Sequence, residues 1–379
     1  MTEVLNFTGF IKGVTYTTYL EEELEETPLD EFNIIEANTF GLIKSPNTQI
    51  AYSQWVSPKR TRSYPFARIY NTYNAAKVIT IIPIIKDEGK DGDRDRIQYS
   101  TISWMNLLNI YIVLGYYETA EKSSKKGQNN KHKLTNQKFN HEFIKSQIDK
   151  ILAYHQSALH WNKNLFEEKF ASTFQQALDS YDLISKKTGV TIHPREKMDK
   201  YLQKVIAEFE EFKNISLKGS QNASKREAVT SHELEYLIDG SKATFSIENY
   251  LGGVYYLTAD EIFHDNDIYI IQESKNNSNS KESLPKLADI QDGLFKLILF
   301  SNLDSLNLNG QPVSFITKLK LTGKNVIGSI LFPDASAKEL EDFLATNMKI
   351  FNSKQKEIIR KLDLEAKNNQ KLKIEITSN

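Results

Sequence analysis

The chain has 379 residues and contains no cysteine. Disulfide bonds, cysteine-ligated zinc and thiol nucleophiles are therefore excluded, and the absence fits a reducing compartment. The longest apolar run, VITIIPII at residues 78–85, is far shorter than the roughly 20 residues that a membrane-spanning helix needs. The first residues, MTEVLNFTGF, lack the basic region and apolar core of a signal peptide. We therefore expect a cytoplasmic protein with no membrane partner.

Several catalytic signatures are also absent. No G-x-S-x-G elbow occurs, and neither does a P-loop of the form GxxxxGK[ST] or a methyltransferase glycine motif. His155 and His160 are five residues apart rather than the four that would place two ligands on one helix face, and His193 has no partner at a metal-site spacing. These observations disfavour serine hydrolases, NTPases and histidine metal sites.

The overall charge does not indicate a nucleic-acid-binding protein, because 48 basic residues face 49 acidic ones. An apolar share of 40% and a charged share of 26% are typical of a soluble globular chain, and the length allows two or three cores. The distribution of charge is uneven, however. Residues 37–86 contain no Asp or Glu.

This acid-free stretch carries basic residues interleaved with aromatic ones, which is a composition suited to phosphate contacts and to readout of base edges. We predict that it faces DNA. Taken individually, the aromatic residues are expected to belong to a core, and the alternative for the whole stretch is that its charges form an ordinary surface. The candidate DNA-binding residues are Lys59, Arg60, Arg62, Arg68, Lys77 and Lys86.

Residues 252–275 contain the clearest candidate site. Two apolar runs flank a polar tip, and Asn266 and Asp267 tolerate the positive φ that tight hairpin turns require. A hairpin turning at these two residues places Asp260 opposite Glu273, with Lys275 on the same face as Glu273. Two carboxylates and a lysine are the set used in metal-dependent hydrolysis of phosphodiester bonds. The acids hold Mg²⁺, and the lysine orients the attacking water or stabilises the charge that develops on phosphorus.

Asp260 followed by Glu273-Ser274-Lys275 at a strand end resembles the PD-(D/E)xK signature of restriction-endonuclease-like nucleases. The helix expected next is visible in LADIQDGLFKLILF, and Ala259 stands where the family usually has proline. The resemblance covers roughly residues 230–305. It implies an α/β (α+β) fold in which helices flank a mixed sheet, and a further acid from a preceding helix. A short helix is predicted at 231–238, and candidates for that acid are Glu233, Glu235 and Glu248.

The resemblance also implies a function and a division of the chain. We expect a largely helical DNA-recognition domain at 1–220, ending near a linker at 214–226, and a nuclease domain at 221–379. The leading hypothesis is a Mg²⁺-dependent, sequence-specific endonuclease acting on double-stranded DNA, similar to type II restriction enzymes. A homodimer would match a palindromic target.

Three alternatives remain open at this point. The chain could be a nuclease with another role, such as a defence effector, a repair enzyme or an RNase. It could also bind nucleic acid without catalysis, or serve as a helical interaction scaffold. Convergence of Asp260, Glu273 and Lys275 discriminates between the catalytic and the non-catalytic interpretations.

Overall fold

The computed structural model describes residues 5–46, 48–59, 65–97, 99–207, 241–249, 254–277 and 283–378. The predicted linker at 214–226 lies outside these ranges. So do the predicted helix at 231–238, with Glu233 and Glu235, and the basic residues Arg60 and Arg62.

The strands of the described residues are, in chain order, β1 (Leu5–Ile11), β2 (Glu26–Pro28), β3 (Phe40–Ser45), β4 (Thr48–Gln54), β5 (Val78–Pro83), β6 (Ile85–Asp87), β7 (Arg94–Arg96), β8 (Tyr111–Gly115), β9 (Tyr117–Lys122), β10 (Leu134–Phe139), β11 (Ser241–Asn249), β12 (Val254–Asp265), β13 (Ile268–Asn277), β14 (Ser305–Leu308), β15 (Gln311–Pro312), β16 (Ser314–Gly323), β17 (Ser329–Phe332) and β18 (Leu372–Ser378).

The α-helices of the same residues are α1 (Pro65–Tyr70), α2 (Tyr99–Leu107), α3 (His141–Leu152), α4 (Ala158–Asn164), α5 (Phe170–Thr188), α6 (Glu196–Ala207), α7 (Leu287–Ser301), α8 (Ala337–Thr346) and α9 (Ser353–Asn368). A single π-helical turn, Leu165–Lys169, separates α4 from α5. None of the described helices combines the length and the apolar character needed to cross a membrane.

The chain forms two compact units. The middle unit comprises residues 24–217, and the terminal unit joins residues 1–23 to residues 218–379. The first 23 residues thus belong with the C-terminal half, which differs from the predicted domain division at 220/221. The physical reason is strand pairing: β1 lies inside the large sheet of the terminal unit, parallel to β11 and antiparallel to β14.

The segment after β1 is tied to the terminal unit by side-chain hydrogen bonds to its backbone. Asn369 accepts from the backbone N–H of Thr17 at 2.8 Å. Glu365 accepts from the backbone N–H of Tyr19 at 2.8 Å, and Gln291 donates to the carbonyl of Leu20 at 2.9 Å. Each bond joins residues more than 250 positions apart, so no local pattern in the sequence predicts it.

The terminal unit is built on a nine-stranded mixed sheet in the order β15-β14-β1-β11-β12-β13-β16-β18-β17. β11, β12 and β13 are consecutive antiparallel neighbours, and β16 returns parallel to β13 after helix α7. Helix α7 packs against β13 and β16, and α9 packs against β17 and β18. The predicted α/β class is therefore confirmed at this level, as a mixed sheet with helices packed on it.

The predicted hairpin turn is confirmed. Asp265 pairs with Ile268, and the two residues between them have φ of 45° at Asn266 and 64° at Asp267. Positive φ at both central residues is the requirement of a type I′ turn, which matches the right-handed twist of the two strands. The turn thus fixes the register of β12 against β13.

The middle unit contains a five-stranded sheet in the order β2-β3-β4-β5-β8, in which β4, β5 and β8 are parallel. Two further pairs, β6–β7 and β9–β10, form separate ribbons. The expectation of a largely helical N-terminal half is not met, because six α-helices share the described part of this unit with nine strands. The short strands β2, β6 and β7, of three residues each, are below the length at which alternation of apolar residues is visible.

Two of the expected loop and helix assignments are corrected. The lysine- and asparagine-rich composition of residues 122–138 predicts a flexible loop, but Lys122 ends β9, residues 134–138 lie in β10, and a hydrogen bond from the backbone N–H of Ser123 to the carbonyl of Lys133 at 2.8 Å closes the connection between the two strands. The amphipathic, lysine-rich pattern of residues 336–365 predicts one helix, whereas the structure has two, α8 and α9. Asn352 caps the second of them by accepting from the backbone N–H of Gln355.

The turn residues give a test of the hairpin. We expect Asn266→Val to lower the free energy of unfolding by about 1–2 kcal/mol, because a β-branched residue is strained at positive φ. Asn266→Gly is the matched control, since glycine adopts positive φ without strain. Urea denaturation measures both. Equal unfolding midpoints for the two variants would contradict the turn geometry.

Candidate active site

Strand β13 presents Glu273 and Lys275 on one face, because alternate residues of a strand point to the same side of a sheet. This face packs against α7. A Cβ atom added at Gly293 of α7 would lie 2.8 Å from Leu319 Cδ1 and 3.1 Å from Lys275 Cε. The glycine therefore allows the helix to approach the sheet closely at the position where Lys275 extends along it.

Helix α7 adds two charged side chains, Asp292 and Lys296, which lie four residues apart and so share one face of the helix. Lys275 Nζ lies 2.9 Å from Glu273 Oε1 and 3.0 Å from Asp292 Oδ2. Lys296 Nζ lies 2.5 Å from the same Glu273 Oε1. Two carboxylates and two ammonium groups thus alternate in one cluster, which we call the charge cluster.

The charge cluster is largely shielded from water. The side chain of Glu273 is 5% exposed, and those of Lys275 and Asp292 are 17% and 16% exposed. Burial alone would lower the pKa of Lys275, but the neighbouring carboxylates of Glu273 and Asp292 outweigh burial and raise its pKa above the usual value. Lys275 is therefore an ammonium group at neutral pH. It is suited to stabilising negative charge and unsuited to accepting a proton.

Asp260 belongs to strand β12, and Glu273 belongs to the neighbouring strand β13. Glu261 pairs with Gln272, and the paired ladder of β12 and β13 ends there. Asp260 and Glu273 are the next residue on each strand, and their numbers have the same sum as those of the paired residues. The backbone of Asp260 belongs to β12, whereas its side chain lies outside the described residues.

The other side of β12 carries a feature that the sequence did not indicate. The pairing of β12 with β11 shifts by one residue between Ser241 and Ala243, so that Asp260 and Glu261 together oppose the single residue Lys242. Such a β-bulge bends the strand and re-aims the side chains at it, and bulges are common beside active sites. The direction of the Asp260 side chain therefore does not follow from simple alternation.

Glu248 does not join the charge cluster. It is an exposed residue of β11 and pairs with Val254, at the opposite end of that strand from Ser241. Glu248 and Ser241 are seven positions apart along β11, which corresponds to about 23 Å of extended chain. Among the residues that the structure describes, no three acidic, histidine or cysteine side chains converge as a metal-binding group.

Four of the described aromatic residues of the stretch 37–86 belong to the core of the middle unit. Tyr52, Trp55, Phe66 and Tyr70 are each at most 2% exposed. The expectation that the individual aromatic residues belong to a core is therefore confirmed for these four.

Four of the six candidate DNA-binding residues are described, and each has an intramolecular partner. Lys59 Nζ lies 2.5 Å from the buried carboxylate of Asp95, and Lys86 Nζ lies 3.1 Å from Glu88. Arg68 donates to the carbonyl of Gln54 at 2.7 Å. The charges at these three positions are thus engaged within the middle unit.

Lys77 is engaged in a similar way. Its ammonium group donates to the backbone carbonyls of Ile151 at 2.8 Å and Tyr154 at 3.0 Å. Burial lowers the pKa of Lys77 and also that of Arg68. Lys77 therefore ties the end of helix α3 to the segment before β5, which is a structural role that the sequence did not suggest.

No known protein family, no curated protein and no solved structure matches this chain.

Asp292 and Lys296 were not among the site residues expected from the sequence. One signal for them was present: in the apolar segment LADIQDGLFKLILF, an acid and a lysine stand four residues apart. Opposite charges at this spacing are usually an exposed pair on a helix surface. Here the pair faces β13 instead. Asp292 is mostly buried, and it forms an ion pair with the strand residue Lys275.

A double-mutant cycle tests the charge cluster. We expect Lys296→Met and Glu273→Gln to be coupled in the free energy of unfolding by about 1–3 kcal/mol, because the two side chains share a mostly buried ion pair. The matched control is Lys286→Met, which removes an exposed lysine at the start of α7. Its effect should add to that of Glu273→Gln within about 0.5 kcal/mol. Additivity in both cycles, measured by urea denaturation, would show that Lys296 and Glu273 do not interact.

Proposed function

We propose that this chain is a Mg²⁺-dependent endonuclease that hydrolyses phosphodiester bonds in double-stranded DNA with sequence specificity, in the manner of type II restriction enzymes. The observation that carries the proposal is the charge cluster. It joins the Glu273–Lys275 pair of β13 to Asp292 of the following helix, within hydrogen-bonding distance.

The order of elements around the cluster supports the proposal. The acids Asp260 and Glu273 come from adjacent antiparallel strands, β12 and β13, joined by a two-residue turn. Helix α7 follows, and β16 then lies parallel to β13 inside the mixed sheet. A mixed sheet flanked by helices is what the resemblance to PD-(D/E)xK nucleases implies.

The donor chemistry of the cluster fits a magnesium ion. Mg²⁺ prefers carboxylate oxygens, and Glu273 Oε1 and Asp292 Oδ2 already share one cationic group, the ammonium of Lys275. Glu273 would hold the ion, with Asp260 and Asp292 as further oxygen donors. A bound Mg²⁺ would supply Lewis-acid stabilisation of the phosphate and a more acidic water.

The lysines have separate roles in this proposal. Lys275 remains an ammonium and stabilises the negative charge that develops on the phosphate oxygens. Lys296 neutralises Glu273 in the absence of metal and orients its carboxylate. Because the described cluster contains two positive and two negative groups, a divalent ion requires added negative charge. Asp260 and the DNA phosphate supply that charge.

The same charge balance favours one competing function. A neutral network of two lysines and two carboxylates is also suited to holding a helix on a sheet. In that case the chain would bind nucleic acid without cutting it. The two functions differ in the effect of Lys275 on cleavage.

We expect wild-type protein with Mg²⁺ to cleave mixed-sequence duplex DNA, and EDTA to abolish cleavage. Lys275→Ala should lower the cleavage rate at least about 10²-fold, the size of effect seen when one preorganised charge-stabilising group is removed. Lys90→Ala is the matched control, because Glu88 and Lys90 form the same triplet with an exposed lysine. Cleavage that survives Lys275→Ala would overturn the assignment of the site.

The ends of the fragments test the specificity. Sequencing should show discrete ends at one repeated motif, since restriction-type cleavage follows base readout. Ends scattered over all sequences would instead indicate a nuclease with another role.

A further inference from the structure

The β9–β10 ribbon is a second structural feature that points to a function. It spans residues 117–139, and we call it the lysine ribbon. At its base the rings of Tyr117 and Phe139 stack at 4.5 Å between centroids, and the Tyr117 hydroxyl fixes this end to the rest of the middle unit by donating to the carbonyl of Val56 at 2.8 Å. The ribbon is also held at its opposite end, where the two strands are joined: the backbone N–H of Leu134 donates to the carbonyl of Glu88 at 2.8 Å, and that of His132 donates to Asp91 at 2.7 Å.

From Lys122 to Phe139 the formal charges of the ribbon are of one sign. Residues 122–139 contain six lysines and no Asp or Glu. Glu118 and Glu121, which precede this segment, accept hydrogen bonds from the side-chain amides of Asn140 and Asn136. Five of the lysines are exposed: Lys122, Lys125, Lys126, Lys131 and Lys138. Within the described part of the chain, their ammonium groups have no hydrogen-bond or ion-pair partner.

The basic residues of 37–86 that the structure describes differ from the ribbon lysines in this respect. Lys59, Arg68, Lys77 and Lys86 direct their charges to carboxylates and carbonyls of the middle unit. A group that already has a buried or short-range partner gains little from a phosphate, because it must first give up that partner. The five exposed ribbon lysines have no such partner among the described residues, so their ammonium groups can contact phosphates without first breaking an intramolecular interaction.

The shape of the ribbon fits one form of nucleic acid. The major groove of B-DNA, about 12 Å wide, admits a two-stranded β-ribbon. The tip of the ribbon is a short 3₁₀ turn, Gln128–Asn130, and the side chains of Gln128 and Asn129 are exposed there. Side-chain amides form paired hydrogen bonds to adenine in the major groove, and lysines on either side reach the phosphates.

We propose that the lysine ribbon inserts into the major groove of duplex DNA, with its exposed lysines on the phosphates. The inference rests on the proposed function in taking DNA as the substrate. It moves the expected DNA contacts from the stretch 37–86 to the ribbon. Each phosphate that a lysine neutralises releases counterions, so binding through the ribbon must weaken as salt increases.

The test measures binding of a labelled mixed-sequence duplex by fluorescence anisotropy over a range of salt concentrations. All proteins carry Lys275→Ala and are full length, so that the probe stays intact. The test variant adds Lys125→Gln, Lys126→Gln and Lys131→Gln. We expect the slope of log K against log salt to fall in magnitude by up to about 2.7, at about 0.9 for each phosphate that a lysine no longer neutralises.

The matched control removes three exposed lysines elsewhere in the middle unit, Lys150, Lys186 and Lys187, by the same change to glutamine. It alters the net charge equally and should leave the slope unchanged. Circular dichroism and thermal unfolding establish that each variant is folded. A ribbon variant with the parent slope, or a control whose slope falls as far as that of the ribbon variant, would overturn the proposal.

Competition with unlabelled polyanions tests whether the ribbon binds duplex DNA in particular. Unlabelled duplex should displace the probe at lower concentration than single-stranded DNA or polyglutamate, because only the duplex offers a groove. Equal displacement by all three would show a nonspecific polyanion surface and would also overturn the proposal. If the ribbon variant fails to bind while the wild-type chain fails to cut DNA, the proposed nuclease function fails and the ribbon interface stands. If the chain cuts DNA and the ribbon variant binds normally, the proposed nuclease function stands and the ribbon interface fails.

Discussion

The Glu273 carboxylate constrains how helix α7 packs against strand β13 in the terminal unit. A charged group with 5% of its side chain exposed is costly unless it is paired and hydrogen-bonded. Its two lysine partners come from β13 itself and from helix α7, so the pairing fixes the helix against the strand. Gly293 makes that distance possible, since a side chain there would collide with Leu319 and Lys275. The helix and the strand are therefore positioned by one buried charge.

The ion pairs of Glu273 also bear on the proposed hydrolysis. A carboxylate that two ammonium groups neutralise can hold a divalent cation only when an ammonium group moves away or negative charge is added, and in the proposed function Asp260 and the DNA phosphate add that charge. The raised pKa of Lys275 keeps the ammonium positive over the neutral range, which suits a group that acts on an anionic phosphate. The ion pairs that stabilise the fold are thus the same groups that the proposed hydrolysis uses.

Local features of the fold were predictable from the sequence, and long-range ones were not. The turn at Asn266 and Asp267 follows from the conformational preferences of two residues, and it fixes the hairpin register. The insertion of β1 beside β11 joins residues more than 230 positions apart, and nothing in either strand specifies its partner. The bulge opposite Lys242 likewise depends on how three strands meet.

The charged residues show the same division. Glu273 and Lys275 were identifiable because their spacing on a strand is a local property. The contribution of Lys296 depends on the angle at which α7 crosses β13, which the sequence does not reveal. The described basic residues of 37–86 show a related limit of sequence composition. Composition reports that a charge is present, whereas only the folded structure reports, as for Lys77, that backbone carbonyls already satisfy it.

If the proposed chemistry holds, a divalent cation must replace a lysine ammonium group as a partner of the Glu273 carboxylate. Direct binding of Mn²⁺ tests that replacement. Electron paramagnetic resonance of free Mn²⁺ during titration measures the affinity without DNA and without turnover. Glu375→Gln is the matched control, since Glu375 is a carboxylate of the same sheet that pairs with Lys318. We predict that Glu273→Gln weakens Mn²⁺ binding by more than about tenfold, whereas Glu375→Gln leaves it unchanged. Equal affinities of the wild type and Glu273→Gln would contradict a metal-binding role for Glu273.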